Sequence, residues 1–198
     1  METLAAAQHA ATSADEALVR RARLGDAAAF NSLVARRIDR CYRLAWSILL
    51  NDADAADATQ DALVSAWCQV PRLRDPSVFD GWLNRIVANA ARMARRHRVR
   101  LREVRVGSLS PDESPTTVHE QAPNPYAHTD IDDVADNDAI GRAFDRLRPD
   151  ERAILALHHV DERPVAEIAR TLGIPTGTAK WRLHAARRAL QRAMEAEA

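Results

Sequence analysis

The chain has few of the residues from which catalytic loops and metal sites are usually built. It contains six glycines and two cysteines, and Cys41 and Cys68 are too far apart to form a CxxC pair. The sequence contains no phosphate-cradling glycine loop, nucleophile elbow or zinc motif. It therefore predicts a protein that is not an enzyme and has no cofactor, metal or small-molecule substrate. Both cysteines are interpreted as buried free thiols.

Long apolar runs are also absent. No window approaches the roughly 20 apolar residues that a membrane span needs. The N-terminal segment METLAAAQHAATS lacks a charged region followed by an apolar core. We therefore expect no membrane insertion and a cytoplasmic location, with residues 1–12 disordered.

The charge is balanced overall but uneven along the chain. The 28 basic and 28 acidic side chains cancel, yet residues 85–105 carry eight arginines and one acid. Residues 107–140 carry eight acids and no Lys or Arg, and residues 176–192 are basic again. An anionic segment thus separates two cationic stretches, each of which could hold phosphates.

Apolar spacing predicts helices in all regular segments, and no segment has the period of a strand. One long helix is predicted from Asp26 to Leu50, because an apolar stripe runs along it. Four of the nine prolines fall in the acidic segment, where apolar residues are sparse, as is typical of a linker. We therefore predict an all-α protein with an N-terminal helical bundle at residues 13–105, a flexible linker at 106–132 and a second helical domain at 133–198.

The second domain ends in two helices separated by a tight turn. Four apolar residues of the first helix recur at helical spacing, namely Val165, Ile168, Ala169 and Leu172. Gly173 follows, where a helix can end in a left-handed residue. The second helix opens near Pro175 and carries Lys180, His184, Arg187 and Arg188 opposite its apolar stripe. A helix-turn-helix with a basic second helix is typical of proteins that insert this helix into the DNA major groove.

A second basic face lies on the helix predicted from Asp80 past Arg96. This face holds Arg85, Asn89, Arg92 and Arg96. Like charges so placed repel one another, and the phosphates of a nucleic acid would turn that cost into a gain. The pattern favours nucleic-acid binding, and a solvated arginine face is the alternative.

The preceding helix carries charge of the opposite sign. Asp54, Asp57 and Asp61 share one of its faces, with Gln60 at the border. Because an acidic face repels DNA, this face favours contact with a basic protein surface. The alternative is a face that only improves solubility.

Aromatic and histidine side chains offer fewer candidates. Trp67 and Trp82 each continue an apolar stripe and are predicted to lie in the core. Phe79, in a predicted loop, is left as a candidate for stacking on an unpaired base. His158 and His159 are adjacent on a helix, where side chains point about 100° apart, so we expect packing or surface roles rather than a shared metal.

In combination these segments resemble bacterial sigma factors of the extracytoplasmic-function (ECF) subfamily, two-domain type. The matching segments, in order, are GDAAAFNSLV, ADATQDALVSAW, FDGWLNRIVANAARMARR and LRPDERAILALHHVDERPVAEIARTLGIPTGTAK. The resemblance implies a subunit that binds core RNA polymerase, recognises promoter DNA, helps to open the duplex and starts transcription, with an anti-sigma protein as its inhibitor. The alternative is a stand-alone helix-turn-helix transcriptional regulator.

The resemblance also implies roles for particular residues, with residues 13–105 similar to sigma region 2 and residues 133–198 to region 4. The polymerase-binding face would consist of Asp54, Asp57, Gln60 and Asp61. The loop from Pro71 to Gly81 would capture a flipped base of the minus-ten element. The readers of this element would be Phe79, Arg85, Asn89, Arg92 and Arg96. The minus-thirty-five element would be read by Thr176, Lys180, Trp181, Arg182, His184, Arg187 and Arg188.

Three residues depart from the usual pattern of the family. Trp181 stands where a small residue is common, Ala185 where arginine is common, and Met93 where an acid is common. Because of Trp181 and Ala185, we do not expect this chain to share the upstream-element preference of its relatives. The loss of an acid at Met93 leaves the basic face of Arg85, Asn89, Arg92 and Arg96 less balanced.

Overall fold

The computed structural model describes residues 14–106, 134–160 and 163–196, and every regular element in these ranges is helical. The helices are α1 (residues 14–23), α2 (Ala27–Ala35), α3 (Ile38–Leu49), α4 (Asp52–Gln69), α5 (Phe79–Val106), α6 (Val134–Asp145), α7 (Pro149–Leu155), α8 (Val165–Leu172) and α9 (Thr176–Glu195). Short 3-10 turns at Val70–Arg72 and Pro76–Val78 join α4 to α5, and a π-helical turn at Ala156–Val160 follows α7. The all-α prediction is confirmed. The predicted disordered N-terminus and nearly all of the predicted linker lie outside the described residues.

Local side-chain chemistry sets several helix ends. The Asp26 carboxylate caps α2 by accepting a hydrogen bond from the Ala29 backbone N–H at 3.0 Å, and this bond lowers the pKa of Asp26. The Asn51 side chain caps α4 by accepting from the Asp54 backbone N–H at 2.9 Å. Gly173 has a φ of 68° and ends α8 at the predicted position, because glycine adopts this left-handed conformation without strain.

The single long helix predicted to end at Leu50 is wrong, because the chain breaks near Arg37 into α2 and α3. Arg37 has a φ of −128° and is 9% exposed. Its guanidinium donates to the carboxylates of Asp15 in α1 and Asp80 in α5, both at 2.5 Å. A buried guanidinium needs such acceptors. The apolar stripe continues across the break, so apolar spacing contains no signal of it.

The first domain packs α3, α4 and α5 on one another. Four small residues form the inner face of α4 and let the neighbouring helices approach closely: Ala55, Ala58, Ala62 and Ala66. Trp67 and Trp82 are half-buried against this core, as predicted. Cys41 is buried, whereas Cys68 is exposed on α4, so the prediction of a buried thiol is wrong for Cys68.

The second domain packs α7, α8 and α9 around Ile154, Leu157 and Ile168. It also lies against the first domain, because α3 contacts α7 and α5 contacts α8. The buried residues of both domains form one continuous apolar cluster. The limits of the two domains therefore stay a prediction.

Arg152 of α7 connects the two domains from inside this cluster. It is 5% exposed and donates to the backbone carbonyl oxygens of Ser47 at 2.6 Å and Ile48 at 3.1 Å, both at the end of α3. It also donates to the carbonyl oxygen of Leu147. Burial lowers the pKa of Arg152 to about 10. The carbonyl oxygens at the C-terminal end of α3 thus accept hydrogen bonds from a side chain of the other domain.

Candidate nucleic-acid and polymerase interfaces

Helix α9 turns one face into the second domain and the opposite face to solvent. Ala179, Leu183 and Ala186 are buried. Six of the seven residues predicted to read the minus-thirty-five element are exposed, namely Thr176, Lys180, Trp181, His184, Arg187 and Arg188. Arg182, the seventh, is half-buried. The structure therefore brings these residues together on one accessible, basic helix.

Helix α5 presents the second basic face. Arg85, Asn89 and Arg96 are exposed, whereas Arg92 is half-buried, and its Nε lies 3.8 Å from Oδ1 of Asp150 in α7. Burial lowers the pKa of Arg92, and Asp150 opposes this effect. Three of the four polar residues predicted on this face are thus accessible, and the fourth is covered by the second domain.

Phe79 is not accessible, and the prediction that it lies in a loop is wrong. It is the first residue of α5 and is 2% exposed. Its ring lies 5.6 Å from that of Trp82, and the Arg37 guanidinium lies 5.4 Å from its centroid. The turn at Pro76–Val78 leads directly into α5, so Phe79 faces the core and cannot stack on a base here.

The acidic face of α4 is largely free. Asp57, Gln60 and Asp61 are exposed. The carboxylate of Asp54 is half-buried and accepts from Arg98 of α5 at 2.7 Å. Three of the four residues predicted to bind a protein surface thus form an open patch, and the fourth is already paired within the chain.

A cluster of charges at the domain boundary was not predicted from the sequence. The Asp80 carboxylate accepts from Arg37 at 2.5 Å, from Arg40 at 3.0 Å and from Arg163 at 2.9 Å. Burial alone would raise the pKa of Asp80, but the surrounding guanidinium groups lower it to about 2. Since Arg163 precedes α8, this cluster ties the second domain to the start of α5. Its members come from three separate segments, so no local motif reveals it.

The two basic faces meet in this structure. The carboxylate of Asp150 lies 3.8 Å from Arg92 on α5 and 3.9 Å from Arg182 on α9. A cavity of about 360 Å³ separates the helices here, with Arg95 on one side and Trp181 on the other. One carboxylate thus lies between two cationic helices that would otherwise repel each other.

His158 and His159 contact each other, and His159 also contacts a basic side chain of α9. The rings of His158 and His159 are 4.6 Å apart, and Arg187 donates from Nε to His159 Nε2 at 3.4 Å. Burial lowers the pKa of His159. Among residues 14–106, 134–160 and 163–196, no group of three His, Cys, Asp or Glu side chains could hold a metal ion. Within the same ranges, every helix is too short or too polar to cross a bilayer.

Comparison with known proteins gives two family matches in the order expected from the sequence. Residues 33–101 match the family described as Sigma-70 region 2, and residues 137–190 match Sigma-70, region 4. SigE of Mycolicibacterium smegmatis is 34% identical over 84% of this chain, which spans 63% of the length of that relative. SigM of Mycobacterium tuberculosis is 32% identical over 85% of this chain and 78% of its own length. SigW of Bacillus subtilis is 26% identical over 88% of this chain and 93% of its own length.

Two solved structures have the same fold. CnrH, in complex with the cytosolic domain of CnrY, gives a TM-score of 0.64 at 26% identity and covers 93% of this chain and 99% of its own. The sigma factor RpoE of Bartonella quintana, in complex with the anti-sigma factor NepR, gives 0.62 at 25% identity, with 84% and 96% covered. The two sigma-70 regions fall in the two helical domains described above. This chain belongs to the ECF RNA polymerase sigma factors.

Proposed function

We propose that this chain binds core RNA polymerase, directs it to specific promoters and assists duplex opening at the start of transcription. The proposal rests on one observation: basic faces on α5 and α9 and an acidic face on α4 occur in a chain that matches both sigma-70 regions. This role needs no covalent chemistry, cofactor or small-molecule substrate. It places the protein in the cytoplasm, where polymerase and chromosomal DNA are found.

The acidic patch of Asp57, Gln60 and Asp61 is proposed to contact the polymerase. Its carboxylates are exposed and face away from the core of the first domain. Opposite charge across an interface speeds association and excludes wrong partners. Asp54 would join the patch only if its ion pair with Arg98 were given up.

The two basic faces are proposed to hold the two promoter elements. The face of α5, with Arg85, Asn89, Arg92 and Arg96, serves the minus-ten element. The face of α9 serves the minus-thirty-five element, because the first residues of the second helix in this motif contact base edges. Phe79 has no part in this proposal, since it is buried.

Simultaneous contact with both elements requires the domains to separate. Elements one and a half to two duplex turns apart are about 60 Å from each other, at ~34 Å per turn. In this structure Arg92 and Arg182 share one carboxylate. The segment of residues 106–132 reaches at most about 90 Å at ~3.3 Å per residue, so it allows the separation.

An anti-sigma protein is proposed as a further partner. CnrH forms a complex with the cytosolic domain of CnrY, and the sigma factor RpoE forms a complex with the anti-sigma factor NepR. An inhibitor of this chain would have to cover the acidic patch or one of the basic faces, because these surfaces carry the proposed contacts.

Run-off transcription with purified core polymerase on a genomic promoter library tests the proposal. We expect transcripts from a defined set of promoters only when this chain is added. Core enzyme with a chain in which Lys180 and Arg188 are both replaced by Ala serves as the matched control, and it should lose most upstream-dependent transcripts. Tight binding to duplex DNA by the chain alone, with no transcription on addition of core enzyme, would instead indicate a stand-alone regulator.

A further inference from the structure

Trp181 stands in an unusual environment for a tryptophan. Its side chain is 66% exposed, although an indole is usually buried in folded proteins. It lies on α9 opposite the buried face formed by Ala179, Leu183 and Ala186, and therefore contributes nothing to the core of the domain. Tryptophan is enriched at interaction surfaces, and an exposed indole on a basic helix is therefore a candidate contact with a partner.

The residues around Trp181 indicate which kind of surface it contacts. Ala185 follows one helical turn later on the same face, and both residues line the cavity described above, together with Pro149, Asp150 and Glu151. Lys180 and His184 are exposed on one side of this apolar strip, and Arg182 lies on the other. The strip is thus flanked by groups that can bind phosphates, while its own surface offers only carbon atoms and one indole N–H.

The position along the helix places this strip at the bases. Trp181 is the sixth residue of α9, within the part of a second helix that reaches base edges in this motif. In the major groove the base edges are polar, except for the C5-methyl group of thymine. Thymine therefore offers the one surface there that an apolar strip can bury.

The geometry points to Trp181, with Ala185 beside it, as a reader of thymine methyl groups in the upstream promoter element. This inference rests on the proposed function, since it requires α9 to enter the major groove of promoter DNA. It predicts a preference for thymine at the base pair of the upstream element that faces Trp181 and Ala185. The flanking cations hold the duplex without selecting a base at that position.

Replacement of single thymines by deoxyuridine tests the inference, because this change removes the methyl group and keeps every hydrogen-bonding atom. The test uses the full-length chain in complex with core polymerase, on a promoter obtained from the run-off library. At one or two thymines of the upstream element, we expect deoxyuridine to lower promoter occupancy by about fourfold, the effect of withdrawing one methyl group from an apolar contact. With Trp181→Ala, occupancy should be equal for thymine and deoxyuridine.

Two further variants separate base reading from general binding or folding. Arg188→Ala should lower occupancy on both DNAs and keep their ratio, because it removes only a cation. With Trp181→Phe, occupancy of thymine DNA should still exceed that of deoxyuridine DNA by a measurable factor.

Equal occupancy of thymine and deoxyuridine DNA by the unaltered holoenzyme at every upstream position would overturn the inference while leaving the proposed function intact. An effect of Trp181→Ala on polymerase affinity, with an unchanged ratio, would make Trp181 a protein contact and would also overturn it. Absence of any transcript would overturn the proposed function itself and the inference with it.

Discussion

Arg163 donates from Nη2 to Oδ2 of Asp80 at 2.9 Å and so joins the segment before α8 to the first turn of α5. The pair links the two domains at a point where neither side chain is fully in water, with 19% and 28% of their surfaces exposed. Its counterpart lies inside the apolar cluster, where Arg152 donates to the end of α3. Both contacts hold the domains in an arrangement in which Arg92 and Arg182 share the Asp150 carboxylate, whereas the proposed function requires the two basic faces to lie apart.

Replacement of Arg163 by Gln is expected to favour separated domains. The change removes one of three guanidinium groups from Asp80 and costs the closed arrangement about 1 kcal/mol, which corresponds to a roughly fivefold larger open population. Spin labels on the exposed Cys68 and on an introduced Arg192→Cys would report the distance between the domains. The matched control is Arg170→Gln, because the Arg170 guanidinium donates within α8, to the Ala166 carbonyl oxygen, and makes no ion pair with the first domain among the described residues. Equal distance distributions in both variants would contradict the expectation.

The stability of the protein should depend on Asp80 in acid. Its pKa of about 2 in the folded protein lies below the ordinary value of 3.8. A group with a lowered folded pKa stabilises the protein above its unfolded pKa and loses this effect as the pH falls through the folded value. The carboxylate therefore contributes roughly 2 kcal/mol above pH 4, and this contribution disappears towards pH 2.

Urea unfolding of the full chain and of Asp80→Asn at several pH values would measure this contribution. The variant should be less stable near neutral pH, and its free energy of unfolding should fall less steeply below pH 4. If the free energies of unfolding of the two proteins fell equally with pH over this range, Asp80 would not have the lowered pKa.

Arg152→Met should destabilise the whole chain more than any surface arginine substitution. Methionine can fill much of the space, but it leaves the carbonyl oxygens of Ser47 and Ile48 without their donor, at a cost of about 2 to 4 kcal/mol. Denaturant unfolding gives the value directly. Arg148→Met, at a side chain that is 77% exposed, should change stability by less than about 0.5 kcal/mol. Similar losses for the two variants would show that Arg152 is not a structural link.

Charge reversal on α4 should weaken polymerase binding without affecting the fold. With Asp57→Arg and Asp61→Arg combined, we expect at least a tenfold loss of affinity for core enzyme, because a complementary contact becomes repulsive. The control is Asp39→Arg, which makes the same change of charge at one exposed acid of α3. Affinity for core enzyme can be measured by fluorescence anisotropy of the labelled chain. Equal affinity of all three proteins would exclude the acidic patch from the interface.

The elements that the sequence predicts well are those with local signals. The apolar stripe of α8, Gly173 at its end and the basic face of α9 lie within one short segment, and the structure has them as expected. The exposed faces of α4 and α5 follow from helical spacing in the same way. Each of these features depends on residues a few positions apart.

The features that the sequence misses depend on residues far apart. Arg37 and Asp80 are 43 positions apart, so their pair forms only when the first domain folds. Arg163 is 83 positions from Asp80 and joins them only when the two domains pack. The same cluster explains the break before α3 and the burial of Phe79 beneath the Arg37 guanidinium. Neither apolar spacing nor a capping residue indicates that a charge is neutralised by a residue so far away along the chain.

The proposed function requires one chain to place polymerase on two separated stretches of a promoter. Hydroxyl-radical footprinting of the complex with core enzyme measures both contacts in one experiment. We predict two protected stretches separated by about one and a half to two duplex turns, of which only the upstream one disappears with Lys180→Ala and Arg188→Ala combined. A single protected stretch, or protection by the chain alone that core enzyme leaves unchanged, would contradict the account.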